Sequence, residues 1–146
     1  YKETKYKIEK SMLSLDEKYN LAVLARSRSY SKYSKFAVGA VCILNSGDYV
    51  LGCNVENASY GLCNCAERTA LFSLIAQGYN PKDVVEMVII ADTLNPVSPC
   101  GACREVMKGL LNEDTTVTLF NLNKDVKVLR VKDLLPYAFD EGDLNE

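Results

Sequence analysis

An almost uninterrupted apolar run lies in the second half of the sequence, Val84-Val-Glu-Met-Val-Ile-Ile-Ala91. The run has the length of a strand, and its lack of alternation indicates that both faces of the strand are covered. A strand of this kind belongs in a sheet that carries helices on both sides. The run therefore predicts an α/β protein.

The segments on either side of this run predict helices. One helix begins near Cys65 and stops at Gly78. Another has Ser98 as its N-cap and Pro99 in its first turn, and it continues to about Leu111. Farther out, the sequence predicts a helix at 14–30, strands at 36–44, 49–54, 115–122 and 126–131, and a short helix at 132–135. The order α-β-β-α-β-α-β-β-α favours a three-layer α/β/α fold with a central mixed sheet of five strands.

The composition is that of an ordinary globular domain. The chain has 146 residues, of which 48% are hydrophobic and 25% charged, enough for one core. We expect one domain at 14–146 after a charged extension at 1–13. The net charge of −2 argues against a nucleic-acid partner. Because the sequence holds no apolar run of about 18 residues and no signal core at its start, we expect a cytoplasmic protein with no membrane partner.

Histidine is absent from the chain, whereas cysteine occurs six times. Without histidine, Ser-His and Cys-His mechanisms are excluded, and so are metal sites with imidazole ligands. In a reducing compartment, clustered cysteines indicate a metal site, with disulfides as the alternative. The six are Cys42, Cys53, Cys63, Cys65, Cys100 and Cys103.

Two short motifs place three of these cysteines at the starts of predicted helices, Asn64-Cys-Ala-Glu-Arg68 and Ser98-Pro-Cys-Gly-Ala-Cys-Arg104. A helix N-terminus lowers the pKa of a thiol and favours the thiolate that binds metal. Cys100 and Cys103 are three residues apart and share a helix face. With Cys65 they can bind Zn²⁺ and leave its fourth position to water. Taken alone, the Cys-x-x-Cys pair also fits a redox pair or two buried small residues.

Charged residues complete the predicted site. Glu67 is suited to carry protons beside a metal-bound water, although a glutamate in a first turn also suits the helix dipole. Three thiolates on Zn²⁺ leave a charge of −1, which opposes ionisation of that water. Arg68, Arg104 and the helix N-termini can offset this charge, with Arg68 the preferred donor to the sulfurs. Either arginine, taken alone, also fits a surface residue.

Cys63 leaves a second kind of zinc site open. With the other three clustered cysteines it could form a closed Cys₄ site, which is structural rather than catalytic. Such sites usually draw their second pair from Cys-x-x-Cys, whereas Cys63 and Cys65 are spaced as Cys-x-Cys. Cys42 and Cys53 belong to predicted strands, and we expect both in the core.

Further motifs extend the pattern over nearly the whole chain. They are Phe36-Ala-Val-Gly-Ala40, Gly52-Cys-Asn-Val-Glu-Asn-Ala-Ser-Tyr-Gly61, Asn64-Cys-Ala-Glu-Arg-Thr-Ala70, Pro96-Val-Ser-Pro-Cys-Gly-Ala-Cys-Arg104 and Leu134-Leu-Pro-Tyr-Ala-Phe139. From about Leu15 to Leu144 the chain resembles the small, all-cysteine cytidine deaminases. The resemblance implies the fold of that family and zinc-dependent hydrolysis of cytidine and 2′-deoxycytidine to uridine and 2′-deoxyuridine, with release of ammonia.

The same resemblance implies roles for individual residues. Cys65, Cys100 and Cys103 would hold Zn²⁺, and Glu67 would carry protons from water to the base and to the leaving amine. The residues that it implies for substrate binding are Phe36, Asn54, Glu56, Ala58, Tyr60, Ala66 and Phe139.

Three of these residues concern the nucleoside in the chain's own site. Asn54 and Glu56 resemble the pair that hydrogen-bonds the ribose hydroxyls, and Phe36 resembles the aromatic that packs on the substrate. From the local pattern alone, Asn54 and Glu56 also fit polar caps of a loop. Phe36 likewise fits a core residue at the edge of a strand.

Ala58, Tyr60 and Phe139 concern assembly. In the family, subunits form a homotetramer with composite active sites. Ala58 and Tyr60 resemble positions presented to a neighbour's substrate, and Phe139 resembles the aromatic that stacks on a neighbour's base. Taken alone, Phe139 also fits a side chain that docks on a helix. Tyr137 departs from the family, which often has a smaller residue there.

Three other functions compete with a nucleoside deaminase. A structural zinc module would leave Asn54, Glu56 and Glu67 without a use. A polynucleotide-editing deaminase should show basic and aromatic residues along a strand-binding groove, whereas this chain is acidic and lacks tryptophan. A deaminase of another small cytosine-bearing compound is the nearest alternative, and the Asn54/Glu56 pair argues against it.

Overall fold

Three α-helices and five strands make up the regular structure of residues 13–145, the part of the chain that the computed structural model describes. The predicted extension at 1–13 lies, apart from Leu13, outside the described residues, so its limit stays a prediction. Within 13–145, no helix has both the length and the apolar character needed to cross a membrane. The elements are α1 (Leu15–Ser27), β1 (Val38–Leu44), β2 (Tyr49–Cys53), α2 (Ala66–Ala76), β3 (Val84–Ala91), α3 (Gly101–Leu110), β4 (Thr116–Phe120) and β5 (Val126–Arg130).

The five strands form one mixed sheet in the order β2-β1-β3-β4-β5. The pairs β1/β2, β1/β3 and β4/β5 are antiparallel, and β3/β4 is parallel. The apolar run that became β3 is therefore the middle strand. A parallel neighbour requires a crossover, and α3 supplies it between β3 and β4.

Apolar side chains fill both faces of this sheet. Successive residues of β3 point to opposite faces, so Met87 and Ile89 join one cluster whereas Val88 and Ile90 join the other. The first cluster lies under α2 and α3, and the second lies under α1. The predicted three-layer α/β/α fold is confirmed.

Helix α1 begins and is anchored largely as the sequence indicates. Ser14 and Glu17 form a complete capping box. The helix ends at Ser27, before the predicted end near Tyr30, because Tyr30 instead forms a bridge with Val55. The carboxylate of Glu86, the one polar residue of the β3 run, accepts from Lys18 Nζ at 2.8 Å and from the Thr118 hydroxyl. These bonds satisfy a charge that is buried under α1.

Two predicted boundaries are wrong near prolines. Helix α3 begins at Gly101 with Cys100 as its N-cap, rather than at Ser98 and Pro99. Ser98 and Pro99 stay ahead of the helix, where Arg104 donates hydrogen bonds to Ser98 Oγ and Pro99 O. The predicted helix at 132–135 is a single 3₁₀ turn, Val131–Asp133, which ends ahead of Pro136.

Two glycines let helices touch the β1–β2 hairpin directly. A Cβ on Gly52 would lie 2.4 Å from Ala70 N and 2.6 Å from Ala66 O, so α2 packs its backbone against β2. A Cβ on Gly39 would lie 2.4 Å from Ala22 O, which brings α1 equally close on β1. The N-terminus of α2 is thereby fixed to the sheet at Gly52.

Candidate active site

The N-termini of α2 and α3 meet above the sheet, and each begins with a cysteine. Cys65 is the N-cap of α2 and Cys100 is the N-cap of α3. Their sulfurs lie 3.7 Å apart. Cys103, in the first turn of α3, donates its backbone N–H to Cys100 Sγ at 3.4 Å. The positive ends of two helix dipoles therefore point at one group of thiols.

The three sulfurs have the spacing of a zinc site. All three lie within 4.8 Å of one another. In a tetrahedral site with Zn–S bonds of about 2.3 Å, neighbouring sulfurs lie about 3.8 Å apart, close to the Cys65–Cys100 distance. Cys103 is buried, Cys65 is half-buried and Cys100 is exposed, so the group opens to solvent on one side. The donor set fits zinc with one position left for water.

The other three cysteines do not join this group. Cys63 Sγ accepts from Asn57 N at 3.3 Å, which closes a turn of the preceding loop. Cys42 is fully buried as expected, and burial raises the pKa of its thiol to about 12. Cys53 is only half-buried and donates to Arg28 O. All six are free thiols, so the disulfide alternative and the closed Cys₄ site find no support.

Arg68 lies against the cysteine group and supplies positive charge. Its Nη2 donates to Cys65 Sγ at 3.2 Å. A hydrogen bond from Cys103, followed by the Arg68 guanidinium, lowers the pKa of the Cys65 thiol to about 5. The same bond raises the pKa of the Cys103 thiol, so of these two thiols Cys65 ionises first. Arg68 therefore contacts the sulfur of Cys65, one of the three predicted zinc ligands.

Glu67 is buried beside these thiols with 4% of its surface exposed. It occupies the second position of α2, two residues after Cys65. Burial raises the pKa of its carboxyl group, and the nearby Cys103 thiol opposes this in part. A carboxyl group with a raised pKa can both take up and release a proton near neutral pH.

Arg104 does not reach the sulfurs. Its Nε donates to Pro99 O at 2.9 Å, Nη1 donates to Leu134 O at 2.9 Å, and Nη2 donates to Ser98 Oγ at 2.6 Å. No hydrogen bond from Arg104 to the three thiols therefore supports the expected contribution of its charge.

Asn54 and Glu56 are both bonded to the start of β1 or to the segment that precedes it. Asn54 Oδ1 accepts from Val38 N at 2.9 Å, and its Nδ2 donates to Phe36 O at 2.7 Å. Glu56 accepts from the backbone N–H of Tyr33 and of Ser34. The two side chains therefore hold the segment that carries Phe36, and this role agrees with the polar caps that the local pattern also allows.

Serines that sequence reasoning passed over complete these contacts. The Ser34 hydroxyl bonds to the Glu56 carboxylate and lowers the pKa of Glu56, and the Ser29 hydroxyl bonds to Asn54 Oδ1. The sequence shows this segment only as a polar turn, because both partners lie more than twenty positions away in the chain. A cavity of about 230 Å³ adjoins Glu56, and its lining consists of Tyr33, Ser34, Glu56, Asn57, Tyr60 and Cys63.

The remaining predicted residues divide between interior and surface. Ala66 is buried in the first turn of α2, against Gly52. Phe36 is 43% exposed and Tyr60 is 81% exposed, and Ala58 is exposed in the same loop as Tyr60. Phe139 is 61% exposed and lies beside α3, in a groove away from the Glu56 cavity. The chain thus does not bring Phe139 to its own cavity.

A group of three thiols that is open to solvent, with a buried carboxyl group beside it, is typical of a metal-dependent enzyme. Residues 13–118 match the family model of the cytidine and deoxycytidylate deaminase zinc-binding region. The chain therefore belongs to this family of zinc-binding deaminases.

Relatives of known name agree with that assignment. A cytidine deaminase of Halalkalibacterium halodurans is 50% identical over 125 residues, which cover 86% of this chain and 93% of that protein. A cytidine deaminase of Sporosarcina psychrophila is 44% identical over 83% of this chain and 88% of its own length. The crystal structure of a cytidine deaminase from Burkholderia pseudomallei is 48% identical and superimposes with a TM-score of 0.85, covering 87% of this chain and all of that one.

Proposed function

We propose that this protein hydrolyses cytidine and 2′-deoxycytidine to uridine and 2′-deoxyuridine, releasing ammonia. The observation that carries the proposal is the burial of the Glu67 carboxyl group beside an open group of three thiols. Two curated relatives named cytidine deaminase, at 50% and 44% identity, support the choice of substrate.

The cysteine group supplies the place for the metal, and the chain supplies the charge around it. Cys65, Cys100 and Cys103 would hold zinc, which acts as a Lewis acid and makes a coordinated water more acidic. Arg68 and the two helix N-termini oppose the negative charge of the thiolates. Arg68 and the helix N-termini would thereby limit how far the thiolate charge opposes ionisation of that water.

Glu67 would carry the protons of the reaction. It accepts one proton from the attacking water and delivers it to N3 of the base, while the water oxygen bonds to C4. It then takes the proton of the added hydroxyl group and gives it to the exocyclic amine, so the C4–N bond breaks and ammonia leaves. One carboxyl group can serve both transfers because burial raises its pKa toward neutrality.

Asn54, Glu56 and Phe36 would bind the nucleoside. Their common segment adjoins the cavity beside Glu56, and an ionised Glu56 is a good acceptor for ribose hydroxyl groups. This pair of polar side chains favours a nucleoside over other small cytosine-bearing compounds. Ala66, at the first turn of α2, would contribute backbone atoms next to the base.

The active unit would be a cytoplasmic homotetramer with shared sites. Exposed apolar side chains support association, Tyr60 and Phe139 among them. Ala58 and Tyr60 would reach a neighbour's substrate, and Phe139 would stack on a neighbour's base. A cytoplasmic location would also keep the ligand thiols reduced.

A spectrophotometric assay tests the proposed reaction. We expect the purified zinc-loaded protein to deaminate cytidine and 2′-deoxycytidine, and free cytosine far more slowly because it lacks the ribose. The matched variant Glu67→Gln keeps the size of the side chain and should lose at least about 10²-fold in kcat, with zinc and fold retained. Wild-type protein that is inactive on both nucleosides, or a Glu67→Gln variant of normal kcat, would refute the proposal.

A further inference from the structure

The Arg104 guanidinium joins two segments that are far apart in the sequence. Each of its three nitrogens donates to a different acceptor, Ser98 Oγ, Pro99 O and Leu134 O, at 2.6 to 2.9 Å. The side chain is half-buried, and its planar fork allows all three bonds at once. Arg104 therefore acts as a three-point connection between the turn at 98–100 and the segment that follows β5.

The first two bonds restrain the turn that carries Cys100. Pro99 directly precedes Cys100, and Ser98 precedes Pro99. Cys100 is the exposed member of the three-thiol group, so packing alone restrains it less than Cys103, which is buried. The position of its sulfur depends on how this turn is held.

The third bond holds the point at which the C-terminal segment leaves the core. Leu134 is buried, whereas Pro136 and Tyr137 are exposed. Tyr137 adopts a left-handed backbone conformation with φ of 49°, which is unusual for a bulky residue, in the turn that follows Leu134. Phe139 follows this turn, five residues after the Leu134 carbonyl that Arg104 holds.

We propose that Arg104 is a positioning residue that fixes the Cys100 turn and the segment 135–139 relative to each other. Cys100, a proposed metal ligand, and Phe139, the aromatic that would be offered to a neighbouring chain, would then keep fixed positions relative to each other. The expected effect on substrate binding rests on the proposed function, whereas the expected effect on the mobility of the two segments does not.

A second role for Arg104 would be to supply positive charge to the thiol group, and the two roles predict different variants. Arg104→Lys keeps the charge but replaces the planar fork by one ammonium, which cannot donate to three acceptors in these positions. Arg104→Gln removes both charge and fork. If Arg104 positions the segments, both variants must show the defect. If it supplies charge, Arg104→Lys must behave as the wild type does.

Hydrogen exchange read by mass spectrometry, with zinc-loaded protein, tests the positioning role. We expect amide exchange in peptides covering 97–103 and 134–145 to be about tenfold faster in Arg104→Lys and Arg104→Gln, the scale of a lost charge-assisted hydrogen bond. The control is Arg130→Gln, because Arg130 Nη1 also donates to a backbone carbonyl, Asp114 O at 2.9 Å. That variant should leave the exchange of 97–103 unchanged.

Kinetics and zinc retention provide the second reading. In both Arg104 variants, KM for cytidine should rise about tenfold with kcat changed less, and zinc should pass faster to a competing chelator. Ser98→Ala removes one acceptor without touching Arg104 and should give a weaker change of the same kind, so the test stands even if an Arg104 variant folds poorly. Wild-type exchange rates in both Arg104 variants would overturn the proposal. So would an Arg104→Lys variant that matches the wild type in exchange and KM while Arg104→Gln shows the defect. If the wild type deaminates nothing, the exchange experiment still decides the role of Arg104.

Discussion

Opposite pKa shifts stand side by side in the first turn of α2. The pKa of Cys65 is lowered by Cys103 and Arg68, whereas the pKa of Glu67 is raised by burial. Groups whose environments drive their pKa values apart are typical of sites that divide acid and base roles. In the proposed function, the Cys65 thiolate would bind the metal ion and the Glu67 carboxyl group would exchange protons.

The contacts of Cys63 predict that it is dispensable for the metal. Its sulfur bonds to the backbone of Asn57 and lies outside the three-thiol group. We expect Cys63→Ser to keep one zinc per chain in metal analysis, and Cys65→Ser, its matched counterpart two residues later, to lose it. Equal loss of zinc in both variants would show instead that Cys63 is a ligand.

The contact of Arg68 with Cys65 predicts an effect on turnover. Without this guanidinium, the thiolate charge is less compensated and the water of the site is a poorer acid. Arg68→Gln should lower kcat by about 10- to 100-fold, the range for losing a hydrogen bond to a charged group, with a smaller change in KM. Arg68→Lys should recover part of kcat in the same steady-state assay. A wild-type kcat in Arg68→Gln would show that the helix N-termini, and not Arg68, compensate the thiolate charge.

Residue types were easier to predict than the partners of their side chains. The cysteines of the metal group could be predicted because helix starts and i, i+3 spacing are local properties of a sequence. The acceptors of Arg104 could not, because Leu134 lies thirty positions away and only the folded chain brings it near. The bonds of Glu56 to the segment before β1 escaped prediction for the same reason.

Among the elements, helix α2 and strand β2 are in direct backbone contact at Gly52. A methyl group there would overlap Ala70 N and Ala66 O, neither of which can rotate away. Gly52→Ala should therefore lower the free energy of unfolding by at least about 1–3 kcal/mol, as overpacking does. Urea unfolding of the zinc-loaded protein would measure it.

Gly109 offers the matched control for this substitution. It lies in α3, and nothing stands within 4 Å of a Cβ placed on it. Gly109→Ala should be neutral or stabilise the protein by up to about 1 kcal/mol, because alanine favours a helix. Equal effects of the two substitutions would mean that the contact at Gly52 relaxes at no cost.

Element types were predictable where one pattern dominated. Apolar and polar residues do not alternate along β3 because both of its faces are buried, so the strand could be predicted from this pattern. The capping box in turn marked the start of α1. The start of α3 was misplaced because Ser98-Pro99 is a good helix opening by local propensity. The chain uses Cys100 as the cap instead, and the bonds of Arg104 hold Ser98 and Pro99 ahead of the helix.

For the molecule as a whole, the proposed role of Phe139 predicts a site shared between chains, and the exposure of its side chain is compatible with that role. The side chain lies beside α3 and away from the cavity next to Glu56 in its own chain. Phe139→Ala should cost about 1–3 kcal/mol of base stacking, or roughly 10- to 100-fold in KM. Zinc content should stay at the wild-type value in metal analysis.

Mixing two defective variants gives the sharper form of this prediction. After subunit exchange between Glu67→Ala and Phe139→Ala proteins, some sites would combine an intact Glu67 with a neighbour's intact Phe139. Activity above the sum of the parents is the expected result. Mass spectrometry of the intact assemblies is the control for exchange, and exchange without recovered activity would show that each chain builds its site alone.

The use of Cys65 and Cys100 as the first residues of two helices also has a consequence for folding. A cation held by both acts as a removable cross-link that closes a loop of more than thirty residues, including α2 and β3. In the chain-entropy treatment of disulfides, closing a loop of that size lowers the conformational entropy of the unfolded chain. This stabilises the folded state by about 4 kcal/mol. Zinc held there would therefore also stabilise the fold, and a chelator that removes it should lower the free energy of unfolding.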